Sequence, residues 1–147
     1  MDLQLKGKVA AITGPAKGMG AAVTRAFAEE GCRLALWGRD IDAIGPVAAE
    51  ARAMGAEVIV SRVDMTRGME CEAAAAAALS AFGRIDILVN VAGGSGPIGK
   101  TGLQTTEDEF DEIIDLNMRG CFNTIRAVLP AMQAQREGRI VNVGGTF

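Results

Sequence analysis

Short apolar segments rich in Val, Ile, Leu and Ala alternate with longer helical patterns along the chain, and no two of these segments are joined by a tight turn. This alternation is typical of parallel βαβ units, because parallel strands need a crossover connection. The near-continuous apolar character favours strands covered by helices on both faces. Strands are predicted at 9–13, 33–37, 57–63, 87–91 and 139–143. The sequence therefore predicts an α/β fold with an open, doubly wound parallel sheet.

Helical patterns fill the intervals between these strands, and each one ends near a glycine, as expected where a helix stops. They are predicted at 18–30, 41–54, 67–82 and 107–136, with the glycines Gly31, Gly55, Gly83 and Gly138. Thr106 and Glu109 have the spacing of a capping box, so the last helix is expected to begin there. Pro130 lies inside that helix and is expected to kink or shorten it.

Composition bounds the function classes. A chain of 147 residues is expected to form one domain, residues 1–147, with one core. Its net charge of −3 comes from interspersed charges, so nucleic acid is not expected as a partner. The sequence shows neither a secretory signal nor an 18-residue apolar run, so no membrane association is expected. Three Cys without a CxxC pair predict free thiols and a cytoplasmic location. Because His and Tyr are absent, this sequence offers no imidazole base, His-metal site or tyrosyl acid, and no metal is predicted.

A glycine-rich segment, Thr13 to Gly20, follows the first predicted strand and opens a helix. Gly14, Gly18 and Gly20 would let the backbone approach a ligand closely, and the helix N-terminus offers N–H groups to an anion. The segment therefore predicts a pyrophosphate site, with a plain strand-to-helix turn as the alternative.

The spacing TGxxxGxG and four further elements together resemble the short-chain dehydrogenase/reductase family over almost the whole chain. These elements are Gly83 to Val89, Asn90 to Gly93, Asp115 to Asn117 and Gly138 to Val143. The resemblance implies a Rossmann-like sheet that is incomplete on its C-terminal side, and a homodimer or homotetramer formed partly through the helix at 107–136.

The resemblance also implies roles for individual residues. The glycines would cradle the pyrophosphate of a nicotinamide cofactor, Asp64 would meet the adenine, and Asn117 would shape the active site. The complete predicted cofactor set is Thr13, Gly14, Lys17, Gly18, Met19, Gly20, Arg39, Asp64, Met65, Asn90, Ala92 and Gly93. Taken as purely structural residues, Asp64 could cap a strand end and Asn90 could tie Thr13 to the fourth strand. Trp37 is expected to pack near the adenine side, with a possible stacking role, and Cys121 to be a buried thiol.

The end of the second strand bears on the choice of cofactor. An acidic residue there would bind the ribose 2′-OH of NAD, whereas an arginine would accommodate the 2′-phosphate of NADP. Gly38 occupies the position that resembles the family's acid, Arg39 follows it, and Lys17 adds a cation. These residues favour NADP; Asp40 could turn inward and restore a preference for NAD.

The family's reaction moves a hydride between the cofactor and an alcohol or ketone, and it uses a Tyr, a Lys, a Ser and the helix Asn. This chain contains no Tyr, and Gly145 stands where the family usually has Ser, with Thr146 the nearest hydroxyl. We therefore expect the acid/base pair to lie beyond residue 147 of a longer enzyme, and this chain alone to be inactive. The alternative is a non-catalytic dinucleotide-binding module.

A rival motif lies between Gly94 and Thr101, where the letters match the P-loop pattern GxxxxGK[ST]. A working P-loop needs its Lys and Thr at the start of a helix. Gly102 follows at once, however, and the next helix is expected only at Thr106. We therefore expect a loop that borders the substrate pocket rather than an NTPase site.

Overall fold

The computed structural model describes residues 2–144, which form a five-stranded parallel sheet in the order β3-β2-β1-β4-β5. The strands are β1 Val9–Thr13, β2 Arg33–Gly38, β3 Val58–Arg62, β4 Ile87–Asn90 and β5 Arg139–Asn142. The predicted doubly wound sheet is confirmed, and each strand boundary lies within one residue of its prediction. Because the strand order reverses between β1 and β4, a crevice opens at their carboxyl ends, where such sheets bind ligands.

Helices cover both faces of the sheet. They are α1 Gly18–Glu29, α2 Ile41–Ala53, α3 Gly68–Phe82, α4 Glu107–Ile114 and α5 Gly120–Gln135. Strand residues such as Ile12 and Leu36 pack with α1 and α2 on one face. Trp37, Val63 and Leu88 pack with α3 and α5 on the other. The inner strands β1, β2 and β4 thus bury side chains on both faces, as their near-continuous apolar sequences predict, whereas β3 is half-buried and β5 is largely exposed.

The last helical region is divided into three parts, although its sequence pattern predicts a single helix. The capping box forms as expected: Glu109 N donates to Thr106 Oγ1 over 3.2 Å, and Thr106 N donates to Glu109 Oε2 over 2.9 Å. A π-helical turn, Asp115–Arg119, then separates α4 from α5. It begins one residue after Ile114 and contains Asn117, so the interruption falls at a candidate site residue.

The C-terminal end of α5 also differs from expectation. Pro130 does not shorten the helix, which continues to Gln135, because Val128 and Met132 on the same helix remain buried in the core. The residue that ends α5 is Arg136, with a left-handed φ of 56°. Gly138 instead serves packing, since a Cβ there would lie 2.5 Å from Met132 Sδ.

The amino ends of the strands are joined by a buried carboxylate. Asp86 Oδ2 accepts from Val9 N over 2.8 Å, and Arg84 Nε donates to the same carboxylate over 2.9 Å. This edge is thereby closed by structural contacts, whereas the opposite edge carries the candidate site. None of the helices within residues 2–144 is long and apolar enough to cross a membrane.

Candidate functional site

The loop after β1 contains three glycines, and each position requires or tolerates glycine for a different physical reason. A Cβ at Gly20 would overlap the carbonyl oxygen of Gly14, and a Cβ at Gly14 would come within 2.9 Å of the Ala92 backbone. Gly18 has a φ of 54°, and a Cβ there would meet no atom within 4 Å. Gly14 and Gly20 are therefore required for packing, whereas Gly18 faces open space where a ligand could approach.

The N-terminus of α1 faces the same space. Lys17 is its N-cap residue and supplies no side-chain cap, and the first turn of α1 carries no acidic residue. The first backbone N–H groups of a helix have no partner within the helix and favour an anion. Lys17 and Met19 are both exposed beside this end. The loop thus has the backbone geometry and charge that suit a pyrophosphate.

A buried threonine holds the second loop of the crevice against the first. Thr13 Oγ1 accepts from Val91 N over 3.1 Å and from Ala92 N over 3.0 Å. These bonds fix the turn after β4 beside the glycine loop, and they use backbone donors that the end of the strand leaves unpaired. Thr13 and Ala92 therefore lie in contact at the carboxyl ends of β1 and β4.

Asn90 does not tie Thr13 to β4, so that structural alternative is wrong. Its Oδ1 accepts from Thr124 Oγ1 over 2.7 Å, and its Nδ2 donates to Asn142 Oδ1 over 2.9 Å. Asn90 and Thr124 are almost completely buried, at 2% and 0% exposure. Because the hydroxyl of Thr13 already makes the link to β4, Asn90 is left to join α5, β4 and β5.

Asn117 lies in the π-helical turn and binds the loop after β4 through both ends of its amide. Gly94 N donates to Asn117 Oδ1 over 3.1 Å, and Asn117 Nδ2 donates to Gly94 O over 2.8 Å. Asn117 Nδ2 also lies 2.9 Å from Ile113 O. A Cβ at Gly93 would lie 2.6 Å from Asn117 Oδ1, so the glycine permits this close approach. Asn117 therefore positions the loop that borders the crevice.

Asp64 lies just after β3, where its carboxylate closes the turn into α3. Its Oδ1 accepts from Thr66 N over 3.0 Å and from Thr66 Oγ1 over 2.7 Å. The hydrogen bond from the Thr66 side chain, with further help from the charges of Arg39 and Arg67, holds the pKa of Asp64 below its usual value. A turn-capping role for Asp64 is thus present.

Met65 packs inward, with 7% of its surface exposed. Its carbonyl accepts from Asn123 Nδ2 over 2.8 Å. The side chain of Met65 thus belongs to the core.

The end of β2 carries the residues that bear on cofactor choice. Gly38 is buried, and Arg39 after it is exposed. Asp40 does not turn inward: it is the N-cap of α2, and its Oδ1 accepts from Ala43 N over 3.0 Å. A cavity of about 340 Å³ beside Arg39 is lined by Arg39, Arg62, Asp64, Arg67 and Glu70. The sequence analysis missed Arg62, Arg67 and Glu70; the pairing of β2 with β3 is the signal that could have found Arg62.

Trp37 is fully buried in the core with 0% exposure, in agreement with the expected packing role, so its ring is not available for stacking. Among the described residues its Nε1 has no hydrogen-bond partner. Cys121 is half-buried rather than buried, and burial raises the pKa of its thiol. Gly145 and Thr146 lie outside the described residues.

The segment from Gly94 to Thr101 lacks the structure of a P-loop. Thr101 is followed by a three-residue 3₁₀ helix, Gly102–Gln104, and α4 begins only at Glu107. Lys100 Nζ pairs with the side chain of Glu109, and Lys100 and Thr101 do not themselves begin an α-helix. The expectation of a loop rather than an NTPase site agrees with this geometry.

A crevice at a strand-order reversal, with a glycine loop leading into a helix, defines an α/β protein of the dinucleotide-binding class. The family model described as short chain dehydrogenase matches residues 8–146, and the chain belongs to that family.

Three known proteins illustrate the similarity. The 3-oxoacyl-[acyl-carrier-protein] reductase FabG of Staphylococcus epidermidis is 35% identical over 139 residues, which cover 92% of this chain and 55% of that protein. A metagenomic short-chain oxidoreductase in complex with NADP is 34% identical with a TM-score of 0.90, covering 97% of this chain and 64% of that one. NAD⁺-bound xylitol dehydrogenase is 31% identical with a TM-score of 0.86, and the match covers 95% of this chain and 53% of that one. The chain thus spans about half the length of the curated relatives it matches.

Proposed function

We propose that this chain is the cofactor-binding part of an oxidoreductase that transfers a hydride between NADP(H) and an alcohol or ketone. The observation that carries the choice of NADP is the end of β2, where buried Gly38 supplies no acid and exposed Arg39 supplies a cation. The NADP complex of a similar oxidoreductase supports this choice, and the NAD⁺ complex of xylitol dehydrogenase keeps NAD as the alternative.

The pyrophosphate fits the glycine loop. Gly18 leaves open space, and the N-terminus of α1 presents unpaired N–H groups toward it. Lys17 adds positive charge at the same end, and the exposed side chain of Met19 borders it. Ala92 and Gly93, with buried Thr13 and Asn90 behind them, would form the other wall, and Asp64 with the backbone of Met65 would meet the adenine.

When bound, the nicotinamide ring supplies the hydride chemistry. The chain's own residues would position the cofactor and enclose it. Asn117 fixes the loop at Gly94, and Thr13 fixes the turn at Ala92. The sequence contains no Tyr, so we propose that the acid/base pair comes from beyond residue 147 and that this chain alone does not turn over. Gly145 or Thr146 would border the substrate oxygen.

The substrate would be a small molecule that carries a hydroxyl or a carbonyl. A cavity of about 970 Å³ lies between the loop at 95–106 and α4, and its apolar lining includes Pro97, Phe110 and Ile113. This loop is joined to Asn117 through Gly94, so the cavity borders the same region. It would accommodate an apolar part of the substrate.

Assembly would use the outer face of the long helical region. Met118 and Phe122 are large apolar residues with 64% and 60% of their surface exposed. Exposed apolar residues of this size suit burial against another copy, which supports a homodimer or homotetramer. We also propose a cytoplasmic protein, because none of its cysteines forms a disulfide within the described residues.

Nucleotide titration tests this proposal directly. The chain is expected to bind NADPH saturably, observed through the cofactor's fluorescence, and to show no Mg²⁺-dependent binding of ATP. Lys100→Ala removes the hallmark residue of the rival motif and should leave NADPH binding unchanged, because Lys100 pairs with Glu109 away from the glycine loop. ATP binding lost in Lys100→Ala would contradict the proposal. NADPH binding by the full-length protein without turnover would favour the non-catalytic module.

A further inference from the structure

Arg62 ends β3 at a position set by the register of the sheet. Gly38 of β2 is paired with Arg62 of β3 in this parallel ladder. Paired residues on neighbouring strands project their side chains to the same face of a sheet. Arg62 therefore leaves the sheet beside the position from which an acid would reach the ribose 2′-OH. Gly38 supplies no side chain toward the cavity, and a Cβ there would lie 2.8 Å from Ile44 Cδ1 of α2.

Three guanidinium groups line the cavity at this edge of the sheet, and they come from the ends of three different elements. Arg39 follows β2, Arg62 ends β3 and Arg67 precedes α3, and all three line the same cavity of about 340 Å³. Its volume is sufficient for a phosphate group. The cavity also contains Asp64 and Glu70, so the net charge depends on how these acids are engaged.

The two acids are engaged by local partners. Glu70 Oε1 lies 3.6 Å from Arg67 Nε, and Glu70 Oε2 accepts from Asp64 N over 2.7 Å. Asp64 Oδ1 is used by Thr66. The side chains of Arg39 and Arg62 make no hydrogen bond or ion pair with any residue in the range 2–144, although the backbone of Arg62 belongs to the ladder with β2. Two guanidinium groups thus remain without a direct partner at the cavity.

We propose that Arg62 is a second specificity-determining residue that binds the cofactor's 2′-phosphate together with Arg39. A phosphate monoester carries roughly 1.5 to 2 negative charges at neutral pH, which two guanidinium groups can match. Arg67 stays with Glu70 and contributes to the surrounding field rather than to direct contact. This inference rests on the proposed use of NADP.

The test uses two soluble probes that differ only in the phosphate of interest: adenosine 2′,5′-bisphosphate and AMP. Calorimetry on the chain and on Arg62→Gln gives the dissociation constant of each probe. The variant is expected to bind the bisphosphate about tenfold more weakly, the loss expected for one charge-assisted hydrogen bond. Its affinity for AMP should change less than about twofold, since AMP lacks the group that Arg62 contacts.

The matched control is Arg126→Gln, because Arg126 is an exposed arginine of α5 that lies outside this cavity. It should leave both dissociation constants unchanged. Equal affinity of Arg62→Gln and the unmodified chain for the bisphosphate would overturn the role of Arg62 alone, provided that the chain prefers the bisphosphate to AMP. Absence of any such preference in the unmodified chain would overturn the proposed use of NADP as well. Circular dichroism on each variant confirms that it is folded.

Discussion

The individual glycines of the loop after β1 have two separate roles, close packing and an open approach for a ligand. A Cβ at Gly14 or Gly20 would collide with the protein's own backbone, whereas a Cβ at Gly18 would face open space. From the sequence, the three glycines were expected to allow close approach of a ligand, with a plain strand-to-helix turn as the alternative. The sequence could predict the positions, because the spacing is a local property. It could not separate packing from binding, because Ala92, which faces Gly14, is distant in the sequence.

Arg39 is expected to discriminate between NADPH and NADH. Arg39→Ala should weaken NADPH binding about tenfold or more and change NADH binding little, because only NADPH carries the 2′-phosphate. Fluorescence titration with both cofactors measures the two losses. Arg126→Ala serves as the control and should affect neither cofactor. Equal losses for NADPH and NADH in Arg39→Ala would refute the assignment.

Strands and helices were predictable because their signals are local. Apolar segments bounded by glycine or charge place each strand boundary within one residue, and the capping box places the start of α4. The π-helical turn at Asp115–Arg119 had no such signal. It accompanies the bonds between Asn117 and Gly94, which join residues that are 23 positions apart. Arg62 was missed for the same reason, since its pairing with Gly38 belongs to the sheet and to no single segment.

The hydrogen bond from Thr124 of α5 to Asn90 of β4 is expected to stabilise the packing of this helix on the sheet. Thr124→Val keeps the buried shape but leaves Asn90 Oδ1 without its donor at 2.7 Å. We expect the free energy of unfolding to fall by about 2 kcal/mol, the cost of a buried polar group left unpaired. Urea unfolding followed by fluorescence of Trp37, the one tryptophan, measures this loss.

Thr24→Val is the matched control for that change. Thr24 is also fully buried in a helix, but its hydroxyl donates to Gly20 O within the same helix over 2.8 Å. That carbonyl can keep its helical N–H partner, so the loss should be well below that of Thr124→Val. An equal loss of unfolding free energy in the two variants would show that the bond from Thr124 to Asn90 adds no stability beyond that of an ordinary buried threonine hydroxyl.

At the scale of the whole molecule, the two edges of the sheet have different tasks. The amino edge is closed by Asp86 with Arg84 and the backbone of Val9. The carboxyl edge is lined by glycines, unpaired helix N–H groups and arginines. This polarity follows from parallel strands, which bring the residues after every strand to one edge. It explains how glycine and arginine residues scattered over the sequence can form one elongated site.

Calorimetric titration of the chain with NADPH and with NADH at one ionic strength tests whether the carboxyl edge of the sheet selects NADP(H). If Arg39 and Arg62 bind the 2′-phosphate, NADPH is expected to bind at least about tenfold more tightly than NADH. Binding of NADH with equal or greater affinity would refute this selection.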